Sequence, residues 1–255
     1  MKIISWNING LRSIIKKNLI DFLAQTKPEI FCLQETKVAF ENLPIELTSI
    51  NNYHKNFVFA QKKGYSGVAT FNLKKPKIIT NIFDEEKFNN EGRVIVNNYQ
   101  KFLLFNVYFP NGKKNKERLQ YKLDFYQKFL EKIKIYQKIN PNIIICGDVN
   151  TAHQEIDLTR PRENSQISGF LPLEKAWIDK LIKNGFVDSW RHFHPQIKNN
   201  YTWWDYKTKA RERNVGWRID YFFVSQSLIS KLQNAKILNN ILGSDHCPIE
   251  IELNF

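Results

Sequence analysis

The chain has 255 residues, of which 42% are hydrophobic and 14% aromatic, so it can bury a sizeable core and is not a disordered protein. Its formal net charge of +13 favours a polyanionic partner, with nucleic acid ahead of an anionic membrane surface. The cysteines, Cys32, Cys146 and Cys247, are isolated and odd in number, which predicts buried reduced thiols and disfavours a disulfide framework or a zinc site. No stretch is typical of a signal peptide or a membrane span. We therefore expect a cytoplasmic protein that does not bind membranes, associated with the nucleoid if its source is prokaryotic.

The N-terminal segment predicts a βαβ unit. An apolar run at residues 2–8 predicts a first strand, which Gly10 ends. Apolar residues at helical spacing over residues 11–23 predict a helix, and a proline ends it. A second strand is predicted at residues 30–33 and is followed at once by Glu35. Both strands of the unit thus end in polar residues.

The middle of the chain is more β in character. Short apolar or alternating runs separated by turn residues predict strands at residues 57–60, 68–72, 93–96 and 102–108. Apolar residues from Leu119 to Ile133, at steps of four and three, predict an amphipathic helix. We expect the lysines of this helix to lie on its solvated face.

Residues 142–153 hold the most informative pattern. Four apolar residues, three of them β-branched isoleucines, run into Gly147 and then Asp148 and Asn150, which is typical of a buried parallel strand that ends at a polar rim. Ligands of α/β sheets bind beyond the carboxyl ends of the strands, so both polar side chains are expected to face a ligand. Taken alone, an ordinary turn explains the pattern equally well, because Gly, Asp and Asn are common turn formers.

The last third predicts a helix at residues 173–183 and strands at residues 217–224 and 249–253. Trp203 and Trp204 precede a basic run that contains Lys207, Lys209, Arg211 and Arg213. Basic residues interleaved with aromatic ones suit a groove for a DNA backbone, although a solvated loop is an equal alternative for each of them. Without repeats or linkers, one domain over residues 1–255 with two sheets is the simplest organisation.

Polar residues recur at the ends of the predicted strands. They are Asn7, Glu35, Tyr108, Asp148 with Asn150, and Asp245 with His246, while Asp220 lies inside the strand at residues 217–224. Several such ends predict one shared site. Its oxygen ligands suit Mg²⁺, or Mn²⁺ in its place, and a metal beside a carboxylate suits hydrolysis of phosphate esters. The chain has no Gly-rich phosphate loop and no serine nucleophile motif, so nucleotide-cofactor chemistry is a poor fit.

The chemistry of the side chains predicts roles for three of these residues in hydrolysis. Glu35 is the predicted metal ligand, Asp148 the predicted activator of water, and His246 the predicted partner of the phosphate. If Asp220 contacts His246, its carboxylate favours the imidazolium and fixes the ring.

These motifs together resemble the exodeoxyribonuclease III family of apurinic/apyrimidinic (AP) endonucleases, within the exonuclease-endonuclease-phosphatase superfamily. The resemblance covers essentially the whole chain, and several spaced motifs in the right order make it specific. The motifs are Ser5-Trp6-Asn7-Ile8-Asn9-Gly10-Leu11-Arg12, Leu33-Gln34-Glu35-Thr36-Lys37, Tyr108-Phe109-Pro110-Asn111-Gly112, Gly147-Asp148-Val149-Asn150-Thr151-Ala152-His153, Asn214-Val215-Gly216-Trp217-Arg218-Ile219-Asp220-Tyr221 and Gly243-Ser244-Asp245-His246-Cys247-Pro248.

The resemblance implies an α/β fold, a four-layer DNase I-like sandwich with two central mixed β-sheets flanked by helices. It implies a Mg²⁺-dependent monomer that cuts duplex DNA on the 5′ side of an abasic site and leaves a 3′-hydroxyl. A 3′→5′ exonuclease and a 3′-end-cleaning activity are expected beside it. His153 belongs to the motif, but we expect a structural role for it.

The resemblance also implies roles for individual residues. Glu35 matches the main metal ligand, with Asn7 and Asp245 close to the metal. Asp148 matches the residue that activates the nucleophile or protonates the leaving group. The remaining catalytic matches are Asn150 and Tyr108, which hold the nucleophile and phosphate, and the phosphate-binding pair His246 and Asp220. Trp217 matches the wall of a pocket for a flipped-out sugar, and Trp203 or Trp204 is expected to stack near an extruded nucleotide.

Three positions depart from the family pattern. Asn9 stands where some relatives carry an aspartate near the metal, which leaves a second metal site open. Asn164 matches a DNA-contacting asparagine, but Ile167 stands where many relatives have another. Lys207 lies where some relatives insert an apolar side chain into the minor groove, so an electrostatic contact is expected there.

Two other functions stay open at this stage. One is a superfamily phosphatase that acts on phosphoinositides or other phosphate esters. The other is a nucleic-acid-binding protein on an inactive scaffold, which the joint presence of Glu35, Asp148, Asn150 and His246 disfavours.

Overall fold

The computed structural model describes residues 1–255 as fourteen strands, seven α-helices and five 3₁₀-helices. The strands are β1 (Lys2–Asn7), β2 (Ile30–Gln34), β3 (His54–Val58), β4 (Val68–Asn72), β5 (Lys77–Ile79), β6 (Val94–Asn98), β7 (Leu103–Tyr108), β8 (Ile143–Asp148), β9 (Phe186–Asp188), β10 (Trp203–Trp204), β11 (Gly216–Trp217), β12 (Asp220–Ser225), β13 (Leu232–Ile237) and β14 (Ile249–Leu253). The α-helices are α1 (Leu11–Ile15), α2 (Leu19–Thr26), α3 (Glu86–Asn89), α4 (Lys116–Ile139), α5 (Pro161–Asn164), α6 (Pro172–Lys183) and α7 (Ser189–Phe193). The 3₁₀-helices span Phe40–Asn42, Ile45–Ser49, Glu155–Asp157, Ala210–Arg213 and Gln226–Lys231.

Two six-stranded sheets form the centre of the molecule. The first has the order β13-β14-β1-β2-β4-β3, and the second has the order β5-β6-β7-β8-β12-β9. The pairs β1–β2 and β7–β8 are parallel and all other neighbours are antiparallel, so both sheets are mixed. The expected two mixed sheets are confirmed.

Three hydrophobic clusters define four layers. One cluster packs β1 and β2 against β8 and β12 between the two sheets, through residues such as Ile3, Cys32 and Ile144. A second packs the outer face of the first sheet against α1 and α2. A third packs the outer face of the second sheet against α4 and α6. The layers therefore run helix, sheet, sheet, helix, as expected.

A polar contact between the sheets aligns the strand ends. Gln34, the last residue of β2, is fully buried, and its Nε2 donates to Asn106 Oδ1 of β7 at 2.7 Å. The Asn106 amide in turn donates to the carbonyls of Leu33 and Ala69 at 3.2 and 2.8 Å. Because directional hydrogen bonds fix register where apolar contacts allow sliding, the residues after β2 come to lie beside the ends of β7 and β8.

The structure differs from the expected elements in three ways. The first predicted helix is divided into α1 and α2, and the predicted strand at residues 217–224 is divided into β11 and β12. The edge strands β5, β9 and β13 and the two-residue strand β10 were not predicted. Lys122 was expected on the solvated face of α4, but its side chain is fully buried.

The three cysteines are free and buried, as expected. None of the helices has the length and apolarity needed to cross a membrane.

Candidate active site

The strand ends of the two sheets meet at one edge of the sandwich. Asn7 ends β1, Tyr108 ends β7 and Asp148 ends β8, while Glu35 follows directly after β2. Asp220 begins the antiparallel strand β12 and lies directly opposite Asp148 in the register. The fold thus brings residues that are more than 200 positions apart in sequence into one site, as their shared position at strand ends predicted.

Asn7 connects the two carboxylates at the centre of this site. Its buried Nδ2 donates to Glu35 Oε1 at 2.8 Å and to Asp148 Oδ2 at 2.9 Å. Its Oδ1 accepts from the backbone N–H of Asn9 at 3.1 Å, which fixes the orientation of the amide. Asn7 therefore presents its amide hydrogens, and not its oxygen, to the carboxylates.

His246 and Asp220 form a buried pair. The Nδ1 atom of His246 lies 2.8 Å from Asp220 Oδ2, and its Nε2 lies 3.8 Å from Asp148 Oδ2. Burial alone lowers the pKa of His246, but the Asp220 and Asp148 carboxylates outweigh it and hold that pKa well above its usual value. The imidazole is therefore an imidazolium at neutral pH, and its Nε2–H lies on the side of the ring that faces Asp148.

Among the carboxyl groups of the site, Asp148 has the most strongly shifted pKa. It is 1% exposed, and burial raises its pKa, helped by the neighbouring charges of Asp220 and Glu35 and opposed by His246. Its Oδ1 accepts from the backbone N–H of Asn150 at 2.7 Å. A carboxyl whose pKa is shifted toward neutrality is suited to transfer protons.

Asn150 packs against Asp148 in a turn with a left-handed backbone, φ +55°. Its Nδ2 donates to Phe109 O at 2.9 Å and to Asp148 Oδ2 at 3.2 Å, and its Oδ1 accepts from Asn111 at 2.9 Å. Asparagine tolerates this conformation better than most residues. The turn places its amide beside the proton-transferring carboxyl.

Tyr108 forms the wall of the site beside Glu35. Burial raises the pKa of its hydroxyl well above the usual value, and the Glu35 charge adds to this effect. The guanidinium of the buried Arg93 lies 4.6 Å from its ring centroid and donates to its backbone carbonyl at 2.9 Å. Tyr108 is therefore a neutral donor in a fixed position.

Asp245 is tied into the rim of the site. Its Oδ1 accepts from Asn9 Nδ2 at 2.9 Å and its Oδ2 accepts from Trp203 Nε1 at 3.1 Å. Burial alone raises the pKa of Asp245, but His246 and these hydrogen bonds outweigh it and lower that pKa. Asp245 is therefore an ionised carboxylate.

The donor set fits a hard divalent cation. Ligand atoms of Glu35, Asp148 and His246 lie within 4.8 Å of one another. His246 is protonated and bonded to Asp220, so the oxygens of Glu35 and Asp148 are the suitable donors of this group, with Asp245 beside them. The only cation on Glu35 is the ammonium of Lys37, 2.7 Å from Oε2, which also donates to Asn9. The site therefore holds a cluster of carboxylates that can bind a metal.

A cavity of about 270 Å³ opens above these groups. Trp203 and Trp217 form adjacent walls because they pair directly in the β10–β11 ladder. The Nζ of Lys113 lies 4.9 Å from each of their ring centroids. The lining residues are Asn9, Glu35, Lys37, Tyr108, Asn111, Lys113, Asp148, Asn150, Gly169, Trp203, Trp217, Ile219, Asp245 and His246. Trp204 instead packs in a buried cluster with Tyr201 and Cys247, which identifies Trp203 as the tryptophan of the pair that faces the cavity.

The other predicted DNA-contacting residues, Asn164, Lys207, Arg211 and Arg213, are not among the residues that line the cavity. Lys207 is exposed, and Arg213 donates to Thr208 O at 3.0 Å from an exposed position. Asn164 ends α5, with its amide donating to Arg160 O at 2.9 Å. Arg211 is turned inward, since its guanidinium donates to the carbonyls of Asn239, Ile241 and Ser244 and lies 4.5 Å from the Trp204 ring centroid. Arg211 thus has intramolecular partners that the sequence did not indicate.

Sequence reasoning named no role for Lys113, Asn111 and Lys122, although all three contact the site. Lys122 was detectable, because it lies three residues after Leu119 and four before Tyr126, on the apolar face of α4. His153 lies outside the site, with its Nε2 2.8 Å from Asp179 of α6. That contact agrees with a structural role.

The sequence of the chain is similar to those of a family of nucleases and phosphatases. The model of the Endonuclease/Exonuclease/phosphatase family matches residues 4–246. An exodeoxyribonuclease of Bacillus subtilis (strain 168) is 41% identical over 257 residues and covers 100% of both chains. The DNA repair nuclease APEX1 of Danio rerio is 41% identical over 255 residues, covering 99% of this chain and 82% of the relative.

A solved structure extends the likeness to three dimensions. The AP endonuclease from Archaeoglobus fulgidus superimposes with a TM-score of 0.90 at 29% identity and covers 100% of both chains. Sequence and fold thus match these proteins along the whole length of the chain. The chain therefore belongs to the endonuclease/exonuclease/phosphatase family, in the exodeoxyribonuclease and AP endonuclease branch that its motifs resemble.

Proposed function

We propose that the protein is a DNA-repair endonuclease that hydrolyses the phosphodiester 5′ to an abasic site in duplex DNA and leaves a 3′-hydroxyl. We propose that the same site also acts as a 3′→5′ exonuclease and cleans blocked 3′-ends. The observation that carries the proposal is the position of Asp148 and His246 at the floor of a cavity with two indole walls, Trp203 and Trp217. Such walls suit an extruded sugar, and the floor groups suit its phosphate.

Asp148 transfers the proton of the reaction in this proposal. Its raised pKa suits it to take a proton from water or to give one to the leaving oxygen. Asn150, which contacts Asp148 Oδ2 at 3.2 Å, positions the attacking water, and Tyr108 donates to the phosphate.

His246 binds a phosphate oxygen as an imidazolium. Asp220 fixes its ring through Nδ1, which leaves Nε2–H free to donate toward the cavity. A fixed cation that faces the developing negative charge stabilises the transition state more than the ground state.

Glu35, with Asp245 and Asn7 beside it, would hold Mg²⁺, and Mn²⁺ is a suitable substitute. For Asn7 this role needs its amide oxygen, which now accepts from Asn9. When bound, such a cation neutralises the charge of the phosphodiester and so favours attack by a nucleophile.

We further propose a monomer that acts as one cytoplasmic catalytic domain on duplex DNA. The net charge of +13 supports a polyanionic partner. The exposed Lys207 and Arg213 and the half-exposed Asn164 are proposed to contact the DNA, and Arg211 supports the loop that carries Lys207 and Arg213.

A cleavage assay with matched duplexes tests this function. The duplexes carry one abasic site, a recessed 3′-end, a 3′-phosphate or a deoxyuridine. We expect Mg²⁺-dependent nicking 5′ to the abasic site, abolished by EDTA and restored by excess Mg²⁺. A folded protein that leaves the abasic duplex intact with both Mg²⁺ and Mn²⁺ would refute the proposal. Faster turnover of an inositol phosphate than of the abasic duplex would favour the phosphatase alternative.

A further inference from the structure

A fully buried ion pair lies beneath the active site. Lys122 of α4 and Glu174 of α6 have no exposed side-chain surface, and Lys122 Nζ lies 2.5 Å from Glu174 Oε1. Burying two charges has a desolvation cost that often equals or exceeds their attraction. Stability alone therefore does not account for a charged pair at this place.

The lysine end of the pair holds the turn that carries Asn150. The ammonium donates to Asn150 O at 2.8 Å and to Thr151 Oγ1 at 2.9 Å, so its three N–H donors are all used. The backbone of Asn150 is left-handed, and the Asn150 side chain contacts Asp148. Lys122 thus holds in place the backbone of a residue that touches the proton-transferring carboxyl.

The glutamate end holds a loop of the cavity, residues 168–171. Glu174 Oε2 accepts from the backbone N–H of Gly169 at 2.6 Å and of Leu171 at 3.0 Å, and Oε1 accepts from Ser168 Oγ at 2.8 Å. This loop lies between Asn150 and Trp217. A Cβ at Gly169 would lie 3.1 Å from the Trp217 ring and 3.2 Å from Asn150 O.

We infer that the Lys122–Glu174 pair is a positioning device that fixes the Asn150 turn and the Gly169 loop relative to each other. The pair thereby holds the distance between Asp148, the proton-transferring group, and Trp217, the wall of the sugar pocket, constant. The inference rests on the proposed function, because the reaction assigned to Asp148 needs both parts at once. Neither residue touches substrate, so neither is a catalytic residue.

The double variant Lys122→Met with Glu174→Leu tests this role. Removing both charges together avoids an unpaired buried ion, so the double variant is expected to fold, whereas Lys122→Met alone leaves Glu174 uncompensated. We expect kcat on the abasic duplex to fall about 10²-fold in the double variant, as misplacement of a catalytic group by about 1 Å does. KM is expected to change by less than about threefold, since DNA contacts outside the turn remain.

Lys132→Met is the matched control. It removes a different ion pair of α4, between the half-buried Lys132 and the exposed Asp84 at 2.9 Å, and no contact of the site. Its kcat and KM are expected to equal those of the parent. A double variant with the parent's kcat would overturn the inference, and so would an equal loss of kcat in Lys132→Met.

Amide hydrogen exchange tests the positioning without catalysis. The N–H of Ala152 donates to Gly169 O at 2.8 Å and contacts neither substituted side chain, so it reports on how the turn and the loop stay together. We expect its exchange to accelerate at least about tenfold in the double variant, with the β8 amides unchanged. Unchanged exchange at Ala152 overturns the inference even if the parent is active. A parent that fails to nick abasic DNA refutes the proposed function and leaves this measurement valid.

Discussion

Asp148 and His246 show how one buried site keeps two groups in opposite protonation roles. The carboxylates around His246 favour its cation, whereas burial and the same negative charges disfavour the anion of Asp148. The two pKa shifts share one contribution, the charge of Asp220, which favours the imidazolium of His246 and disfavours a second carboxylate anion at Asp148 in the same low-dielectric site. This arrangement provides a phosphate-binding cation and a proton-transferring carboxyl side by side.

The first prediction concerns Asp148→Asn. The amide keeps the size of the side chain but cannot transfer a proton, so we expect kcat on the abasic duplex to fall by about 10²-fold or more. The bond from the Asn150 N–H is retained by the amide oxygen, and binding of the duplex should be near that of the parent. Single-turnover nicking and a gel-shift titration measure the two quantities. A variant that nicks as fast as the parent would remove Asp148 from its role.

A second prediction concerns Trp203→Leu. Leucine keeps an apolar wall but loses the aromatic face and the hydrogen bond from Nε1 to Asp245. Because stacking of an aromatic side chain on a nucleotide contributes about 1–3 kcal/mol, KM for the abasic duplex should rise at least about fivefold. Steady-state kinetics check it, with Phe40→Leu on the exposed surface as the control. A KM within error of the parent's would show that the indole does not contact the extruded nucleotide.

At the scale of elements, the β7–β8 pair depends on a glycine. Gly147 has φ +129°, and a Cβ there would lie 2.0 Å from Val107 O of the neighbouring strand. A backbone carbonyl cannot move away without breaking the ladder. Glycine is therefore required one residue before Asp148 for two reasons, its backbone conformation and the close approach of β7.

The third prediction separates these two reasons. Gly10 has a φ of +118°, close to that of Gly147, but a Cβ added at Gly10 would have no atom within 4 Å. Gly10→Ala should therefore lower the free energy of unfolding only by the backbone strain, about 1–3 kcal/mol. Gly147→Ala adds the clash and should cost at least about 4 kcal/mol. Urea unfolding of both variants measures the difference. Equal losses of stability would mean that β7 and β8 separate easily.

The junction between β11 and β12, next to Trp217, is held by a second buried charge network. Asp157 Oδ1 accepts from Arg218 Nε at 2.8 Å and from Arg191, and Arg218 Nη2 lies 2.8 Å from Asp188 Oδ2. Burial alone raises the pKa of Asp157, but the two guanidiniums outweigh it and lower that pKa to about 2. The network fixes the residue next to Trp217 and so supports the cavity wall.

The fourth prediction follows from that pKa. A carboxyl with a lowered folded-state pKa contributes stability above its unfolded pKa of about 3.9, and the contribution is lost as pH falls toward about 2. We expect about 2 kcal/mol of stability to disappear in this window. Asp157→Asn should lose about 3 kcal/mol at pH 7, because two guanidiniums lose their partner, and should lack this part of the acid transition. Urea unfolding from pH 7 to pH 2 checks both, and a variant as stable as the parent at pH 7 would contradict the argument.

At the scale of the whole molecule, the excess of positive charge sets how DNA is bound. Neutralising phosphates releases counterions, so affinity falls with salt in proportion to the number of contacts. The fifth prediction follows from the protein's net charge of +13. We expect its affinity for an abasic duplex to fall at least about tenfold between 50 and 200 mM salt. Fluorescence anisotropy in EDTA measures binding without cleavage. Affinity independent of salt would show that the charge does not face the DNA.

Much of the fold follows from local patterns. The strands β1, β2, β4, β7, β8 and β14 and the helices α4 and α6 were placed within a few residues, because apolar periodicity reflects which face of an element is buried. The edge strands β5 and β9 carry little periodicity, as only their neighbours in the sheet define them. The break between α1 and α2 was likewise invisible, since Lys16, Lys17 and Asn18 are acceptable inside a helix.

The candidate site was also largely visible in sequence, because each polar residue directly follows an apolar strand. The sequence by itself determined which residues stand at strand ends, namely Asn7, Glu35, Tyr108 and Asp148, and that Asp245 and His246 precede the last strand. Only the tertiary structure decided their pairings. Distances such as 2.8 Å between His246 and Asp220, and hence the charges of these groups, depend on how two sheets pack, which local periodicity does not encode.

The buried charges mark the same division. Lys122, Glu174, Asp157 and Arg218 have side chains that composition assigns to the surface, and the structure buries all four. A charge can be buried only where a partner of opposite sign comes from elsewhere in the chain, as Glu174 does for Lys122 across 52 residues. The sequence thus determined most of the central strands, their polar ends and the family, whereas the fold alone decided which charges pair beneath the site.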